Sequence, residues 1–170
     1  SILIQLIHYL AQKEKPFWVI DTHAGAGRYS LESVHASKLE EYKDGIGRLW
    51  DRTDLPAIFA TYTDTVRAEN PKGGLRYYPG SPRIVHDLLR EQDKLRLFEL
   101  HSTDHQILAS FFNTSDKRTI IYADDGFASL KALLPPPSRR GLVLIDPSYE
   151  LREDYSKVVH TLRGALLKFP

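Results

Sequence analysis

Apolar side chains recur at helix-like intervals over residues 2–13, and Lys13-Glu14-Lys15-Pro16 closes that run. The next four residues, Phe17-Trp18-Val19-Ile20, form a short apolar stretch of aromatic and branched side chains, which predicts a buried strand. Three later stretches have the same character: 95–100 (LRLFEL), 119–123 (TIIYA) and 141–145 (GLVLI).

The intervening segments carry helical patterns. Leu39, Tyr42, Ile46 and Leu49 recur every three or four residues, and Leu55-Pro56 opens a further helix with Ile58, Phe59, Tyr62 and Val66 on one side. Asn70-Pro71-Lys72-Gly73-Gly74 is a turn, and residues 76–82 (RYYPGSP) read as a loop. Ser81 and Pro82 suit the N-cap and first position of a helix that runs through 84–90. Helices are also predicted at 104–113, 127–134 and 154–168, with Pro135-Pro136-Pro137-Ser138 as a stiff surface loop. Strands alternating with helices predict an α/β fold, a parallel sheet covered on both faces. The stretch from about 35 to 75 is too long for a plain crossover, so it is read as a helical insertion into one domain spanning 1–170.

Composition adds mainly exclusions. A chain of 170 residues, 42% hydrophobic and 26% charged, suits one soluble domain with its own core. No apolar run is long enough to span a bilayer, so no membrane role is expected. The first ten residues lack the basic start and small-residue cleavage site of a signal peptide. The absence of cysteine excludes a disulfide framework and a thiolate metal site, and fits a cytoplasmic location. The histidines show no ligand spacing: His101 and His105 are four apart, but a strand-to-helix junction separates them, so no metal is expected. Net charge is +1, less basic than a typical nucleic-acid binder, so a nucleic-acid role has to rest on motifs or a local patch. There is no methionine, the chain starts in mid-helix pattern, and it stops at Lys168-Phe169-Pro170. These features are read as a fragment of a longer protein.

In open α/β sheets ligands bind beyond the C-terminal ends of the strands. Each of the four predicted strands ends in polar or glycine-rich chemistry. The first is followed by Asp21-Thr22-His23-Ala24-Gly25-Ala26-Gly27, where Gly25 and Gly27 permit positive φ and close approach of backbone to a ligand. A dinucleotide fingerprint is the rival reading of this loop. Ser30 occupies the third glycine position of that fingerprint, and no acid ends a strand about 20 residues on. The second strand ends at Glu99, a carboxylate able to accept both hydrogen bonds of a ribose diol or simply to be a solvated charge. The third ends at Asp125-Gly126, suited to an adenine amino group or to an ordinary Asx turn.

The fourth ending, Asp146-Pro147-Ser148-Tyr149, is the most specific. The amino group of adenine is a poor nucleophile, because its lone pair is delocalised into the ring. An enzyme that methylates it needs acceptors for both N–H groups as the nitrogen pyramidalises. Asp146 and the Pro147 carbonyl supply two such acceptors on a stiffened turn, and Tyr149 is placed to stack on an unpaired base.

The segments DTHAGAGRY, LRYYPGSP, ADDGF and SRRGLVLIDPSYE, with the strand end at Glu99, resemble the bacterial 23S rRNA adenine-N6 methyltransferase J family in kind and order, over nearly the whole chain. The resemblance implies a class I S-adenosylmethionine-dependent methyltransferase, Rossmann-like, with a helical subdomain inserted after the first strand. It implies a seven-stranded sheet, so three strands are expected beyond Pro170, and a HAGN-type segment is expected ahead of residue 1. It further implies cofactor contacts at His23, Ser81, Glu99, Asp125 and Gly126, and Asp146 in the catalytic position. The substrate would be 23S rRNA, protein-free or in an early assembly intermediate, and the enzyme a monomer.

The family motif is Asp-Pro-Pro-Tyr, and Ser148 replaces its second proline. Proline fixes φ and lacks an N–H, so a looser loop and reduced, not abolished, activity are expected. Arg28, Lys72, Arg76, Arg139 and Arg140 are candidates for gripping RNA phosphates, although each by itself reads equally as a solvated surface charge. The motifs do not separate RNA from DNA. A DNA adenine methyltransferase, and a nucleic-acid-binding protein linked to use of external DNA without methyl transfer, are the alternatives.

Overall fold

A computed structural model describes residues 1–32, 41–112 and 115–170. Four parallel strands form the sheet: β1 (Trp18–Asp21), β4 (Lys94–Phe98), β5 (Thr119–Tyr122) and β6 (Gly141–Leu144), ordered β5-β4-β1-β6. The register sets Asp21 beside Leu97 on one side and Leu144 on the other. These are the four strands predicted from the apolar runs. Strand β4 stops at Phe98, which leaves Glu99 just past its end.

Helices α1 (Ile2–Ala11), α4 (Ser81–Leu88) and α5 (Ser102–Ser110) serve one face. There Ile7, Val85, Leu89 and Leu108 pack with Val19, Leu95 and Leu97. Helices α6 (Gly126–Leu133) and α7 (Arg152–Lys168) cover the other, where Leu130 and Ala165 meet Ile20 and Phe98. Successive residues of β1, Val19 and Ile20, thus feed different cores, as strand geometry requires. The order of connection matters for function. From β1 the chain runs outward through β4 to β5, then returns to place β6 on the far side of β1. The strand order reverses between β1 and β6, which is where open α/β sheets leave a crevice for ligands.

The opposite edge of the sheet is closed by a buried carboxylate. Asp93, its side chain fully buried, accepts hydrogen bonds from the Phe17 amide (3.0 Å) and from Arg90 through its amide (3.1 Å), Nε (2.8 Å) and Nη2 (3.0 Å). Arg90 also donates to the carbonyls of Ala11 and Lys13. The end of α1, the start of β1 and the approach to β4 are therefore held by one charged pair.

The largest departure from the sequence reading lies between β1 and α4. Residues Tyr77–Pro79, expected in a loop, form strand β3, antiparallel to β2 (Arg28–Ser30), with Tyr29 opposite Tyr78. The expected helix through Tyr42, Ile46 and Leu49 is a short α2 (Glu41–Asp44) followed by a 3-10 turn at Ile46–Arg48, and Leu39 lies outside the described residues. Helix α3 (Ala57–Ala68) buries Thr63 and Val66, whereas Ile58 and Phe59, expected on the inner face, are exposed. The N-cap of α4 is Gly80, so Ser81 is its first residue and its hydroxyl is released for another partner. Among the described residues no helix is long and apolar enough to cross a membrane.

Candidate active site

The β1 strand ends on Asp21, and the chain must turn there beneath β6. The Thr22 amide and hydroxyl both donate to the Leu144 carbonyl, at 3.0 and 3.1 Å, which fixes the loop to the strand that carries Asp146. Asp21 is fully buried. Its carboxylate accepts from the Ser81 hydroxyl at 2.6 Å and from the His23 amide at 3.2 Å. Burial pushes the Asp21 carboxyl up to about 6; the bonds from Ser81 and His23 oppose this, and the charges of Asp146 and Glu99 add to the rise.

Asp21 therefore binds its proton more tightly folded than unfolded. Its contribution to stability falls as pH rises from the ordinary value of 3.8 to about 6, and it stays lost above that. Asp21→Asn is expected to melt higher than the parent at about pH 8, by roughly 2 kcal/mol. The two should converge near pH 4. Thermal melts at the two pH values check this.

Beyond Asp21 the loop rises to Gly25, whose φ of +62° favours glycine. Its amide donates to Glu99 Oε2 at 2.8 Å, and the His101 amide donates to Glu99 Oε1 at 2.7 Å. Both carboxylate oxygens are oriented by backbone, and each keeps acceptor capacity. Gly27 turns the chain into β2 and accepts a hydrogen bond from the Gly80 amide at 2.9 Å. Asp125 caps α6, accepting from the Phe127 and Ala128 amides through Oδ1. Gly126 presses against the first loop: a β-carbon there would lie 2.7 Å from Thr22 Cα and nearer still to the Thr22 carbonyl oxygen. Gly126→Ala is therefore expected to cost about 2–3 kcal/mol by forcing the two loops apart. Urea denaturation measures it.

His23, Glu99, Asp125, Gly126 and Pro147 line one cavity of about 210 Å³, together with Thr22, Phe127, Ser148, Asp154 and Lys157. The His23 ring sits edge-on to Phe127 at 4.5 Å, and its Nδ1 shares a 2.8 Å hydrogen bond with the Thr22 hydroxyl. Burial lowers the His23 pKa; the negative charges of Asp125, Glu99, Asp154 and Asp146 oppose that shift. Those four acids and Asp21 give the strand ends a concentrated negative potential. Asp146 and Tyr149 are exposed, Pro147 is buried, and Tyr149 has a φ of +57°, sparsely populated for a non-glycine residue. Its ring lies 4.9 Å from that of Tyr155. A larger cavity of about 680 Å³ runs between α6 and α7. It shares Asp125, Phe127 and Lys157 with the first but none of the loop after β1, so the smaller cavity holds the strand-end chemistry.

Gly25, Gly27, Ser81, Asp146 and Tyr149 do not line this cavity, and two groups of predicted basic residues are placed apart from it. Arg28, Lys72 and Arg76 converge on a separate cleft of about 290 Å³ beside β2 and β3, with Glu69, Asn70 and Tyr77. The Arg28 guanidinium lies 4.6 Å above the Tyr77 ring and 3.7 Å from Glu69. Arg139 and Arg140 are not brought to the site. They precede β6, so they stand at the N-terminal edge of a parallel sheet whose other edge carries the cavity. Arg140 spends its guanidinium on the carbonyls of Leu10 and Lys15. Sequence reasoning missed Asp21, Asp154 and Lys157. Asp21 had a signal, being the acid that directly ends an apolar strand. Asp154 sits in the first turn of α7 and had none.

Residues 14–170 match the family model described as ribosomal RNA large subunit methyltransferase D, RlmJ. The ribosomal RNA large subunit methyltransferase J of Escherichia coli K12 is 51% identical over 164 residues, covering 96% of this chain and 58% of the relative. That of Haemophilus influenzae is 48% identical over 169 residues, covering 99% and 60%. The chain thus spans less than two thirds of the length of these relatives. A crystal structure of a Legionella pneumophila protein superimposes with a TM-score of 0.89 at 40% identity, covering 98% of this chain and 61% of that one. The chain belongs to the RlmJ family of ribosomal RNA large subunit methyltransferases.

Proposed function

We propose that this chain carries the cofactor site and catalytic turn of an enzyme that methylates the N6 amino group of an adenine in 23S rRNA, using S-adenosylmethionine. The observation that carries the reading is the convergence of Glu99, Asp125, Gly126 and Pro147 on one cavity with His23 of the β1 loop, at the reversal of strand order, with Asp146 adjoining Pro147 in the chain. A cavity walled by acids suits a cationic cofactor, and family membership supplies the reaction class.

The residues present fit that cofactor. Glu99, held by two backbone amides, is set to accept from a ribose diol. Asp125 and Gly126 offer a carboxylate and close backbone to the adenine edge, with Phe127 alongside. His23, Gly25, Gly27 and Ser81 shape the loop that would hold the remainder, Ser81 acting through its bond to buried Asp21. When bound, S-adenosylmethionine supplies an electrophilic methyl group on a sulfonium. Asp146 and the Pro147 carbonyl accept the two N–H groups of the target amine and aim its nitrogen, and Tyr149 stacks on the base. The proton becomes acidic only as the N–C bond forms, so Asp146 need not be a strong base. The gain comes from positioning and preorganised acceptors. In this reading the fold is the class I methyltransferase fold, the segment between β2 and β3 is a helical insertion, and Arg28, Lys72 and Arg76 lie on the RNA path.

The test is methyl transfer by the protein expressed from its full reading frame, offered labelled S-adenosylmethionine with protein-free large-subunit rRNA or with adenine-rich duplex DNA. Label in rRNA alone, on N6 of adenine, is the expected result. Label in DNA alone, or none with either, overturns it.

A further inference from the structure

The β2–β3 ribbon has two unlike faces, and only one belongs to the cationic cleft. Strand alternation puts Arg28 and Tyr77 on that side and the cross-strand pair Tyr29–Tyr78 on the other. Behind the second face is a cavity of about 320 Å³ lined by Tyr29, Tyr42, Tyr62 and Tyr78, with Leu31 and Ile46. The rings come from three elements, β2–β3, α2 and α3. The Tyr62 and Tyr78 hydroxyls are bonded to each other at 3.0 Å. Such a pair leaves one O–H free to donate, plus acceptor lone pairs. Burial and the bond to Tyr78 raise the Tyr62 pKa, so this hydroxyl keeps its proton.

Flat aromatic walls with a small polar edge fit a heteroaromatic ring better than an aliphatic chain or a charged group. Two features tie the pocket to the strand-end site. The Tyr29 hydroxyl packs against Gly25, the residue whose amide orients Glu99. On the reverse face of the same ribbon, Arg28, Lys72 and Arg76 are placed for the backbone phosphates of a strand passing over it. Single-stranded RNA is commonly held by this pairing of stacked bases with a basic track.

We propose that the tyrosine pocket receives an unpaired nucleobase of the substrate RNA, a neighbour of the adenine presented to Asp146, and thereby sets which adenine is modified. This rests on the rRNA methyltransferase reading above.

The test uses the protein from its full reading frame with protein-free large-subunit rRNA. Ultraviolet cross-linking with mass spectrometry reads contact independently of methyl transfer, and adducts on Tyr29, Tyr42, Tyr62 or Tyr78 are expected. Tyr42→Leu and Tyr62→Leu keep apolar bulk but remove the flat ring. Each should weaken rRNA binding and raise KM for rRNA by about tenfold, with S-adenosylmethionine affinity unchanged. Tyr42→Phe, which keeps the flat ring, should lose less rRNA affinity than Tyr42→Leu. If a leucine variant melts early, the cross-linking result on the parent decides. Absence of tyrosine adducts, with rRNA affinity unchanged in both leucine variants, overturns the proposal. Methyl transfer that proceeds with that outcome leaves the methyltransferase reading standing. Tyrosine adducts and tenfold losses in a protein that transfers no methyl group would uphold the pocket and sink that reading.

Discussion

Asp146→Ala is expected to lower methyl transfer to rRNA about 10²–10³-fold while S-adenosylmethionine affinity stays within a factor of two or so. The split follows from position. Asp146 lies outside the loop bonds that hold the cavity: Glu99 is oriented by the Gly25 and His101 amides, and Asp125 by the start of α6. The Asp146 carboxylate is exposed, so its removal leaves no buried group without a partner. In the proposed mechanism, what disappears is one of two acceptors for the target amine. Single-turnover rates with saturating cofactor, alongside calorimetric titration of the cofactor, separate the two effects. A variant that turned over normally would remove Asp146 from the catalytic role; one that bound no cofactor would make it a binding residue.

Asp93→Ala is expected to destabilise the fold by about 3–5 kcal/mol, the largest effect on stability anticipated for a single side chain here. Asp93 is fully buried and satisfies the Phe17 amide, the Arg90 amide and the Arg90 guanidinium together. Its loss leaves the Arg90 guanidinium without its counter-charge and the Phe17 amide without an acceptor. Burial works against the carboxylate, but the bonds from Arg90 and from the Phe17 amide outweigh it and hold its pKa below the ordinary value. A depressed carboxyl pKa stabilises above the unfolded value of 3.8 and is lost as pH falls through the folded one. The gap between parent and Asp93→Ala should therefore narrow on acidification below about pH 4. Urea unfolding at neutral and acid pH provides the comparison.

Much of this architecture was legible because parallel strands buried on both faces are plain apolar runs, and a polar residue ending such a run marks the ligand edge of the sheet. Glu99, Asp125 and Asp146 were picked out that way, and the first two line the same cavity. The ribbon was not, because three-residue strands such as Arg28–Ser30 carry no usable period, and Tyr77-Tyr78-Pro79 suits a loop as well as an edge strand. Ile58 and Phe59 misled because an apolar stripe on a helix ordinarily faces a core, whereas α3 buries Thr63, whose hydroxyl bonds back to the carbonyls of Phe59 and Ala60. Arg139 and Arg140 were grouped with Arg28 on charge alone. Their place before β6 already sets them at the far edge of the sheet.

The bond from the Gly80 amide to the Gly27 carbonyl has a consequence for how this chain tolerates change in length. The described residues between those glycines, 28–32 and 41–79, leave the sheet and come back through one narrow neck, continued by the pairing of Arg28 with Pro79. A β-carbon on Gly80 would come within 3.1 Å of the Gly27 carbonyl, so the neck is as tight as two peptide planes allow. Closing a flexible loop grows costlier only logarithmically, by about 0.6 kcal/mol for each doubling of its length. On that scaling, a change of length beyond the neck is expected to cost the sheet little, provided that the packing of α3 on α1 and the Arg83–Glu69 pair are kept.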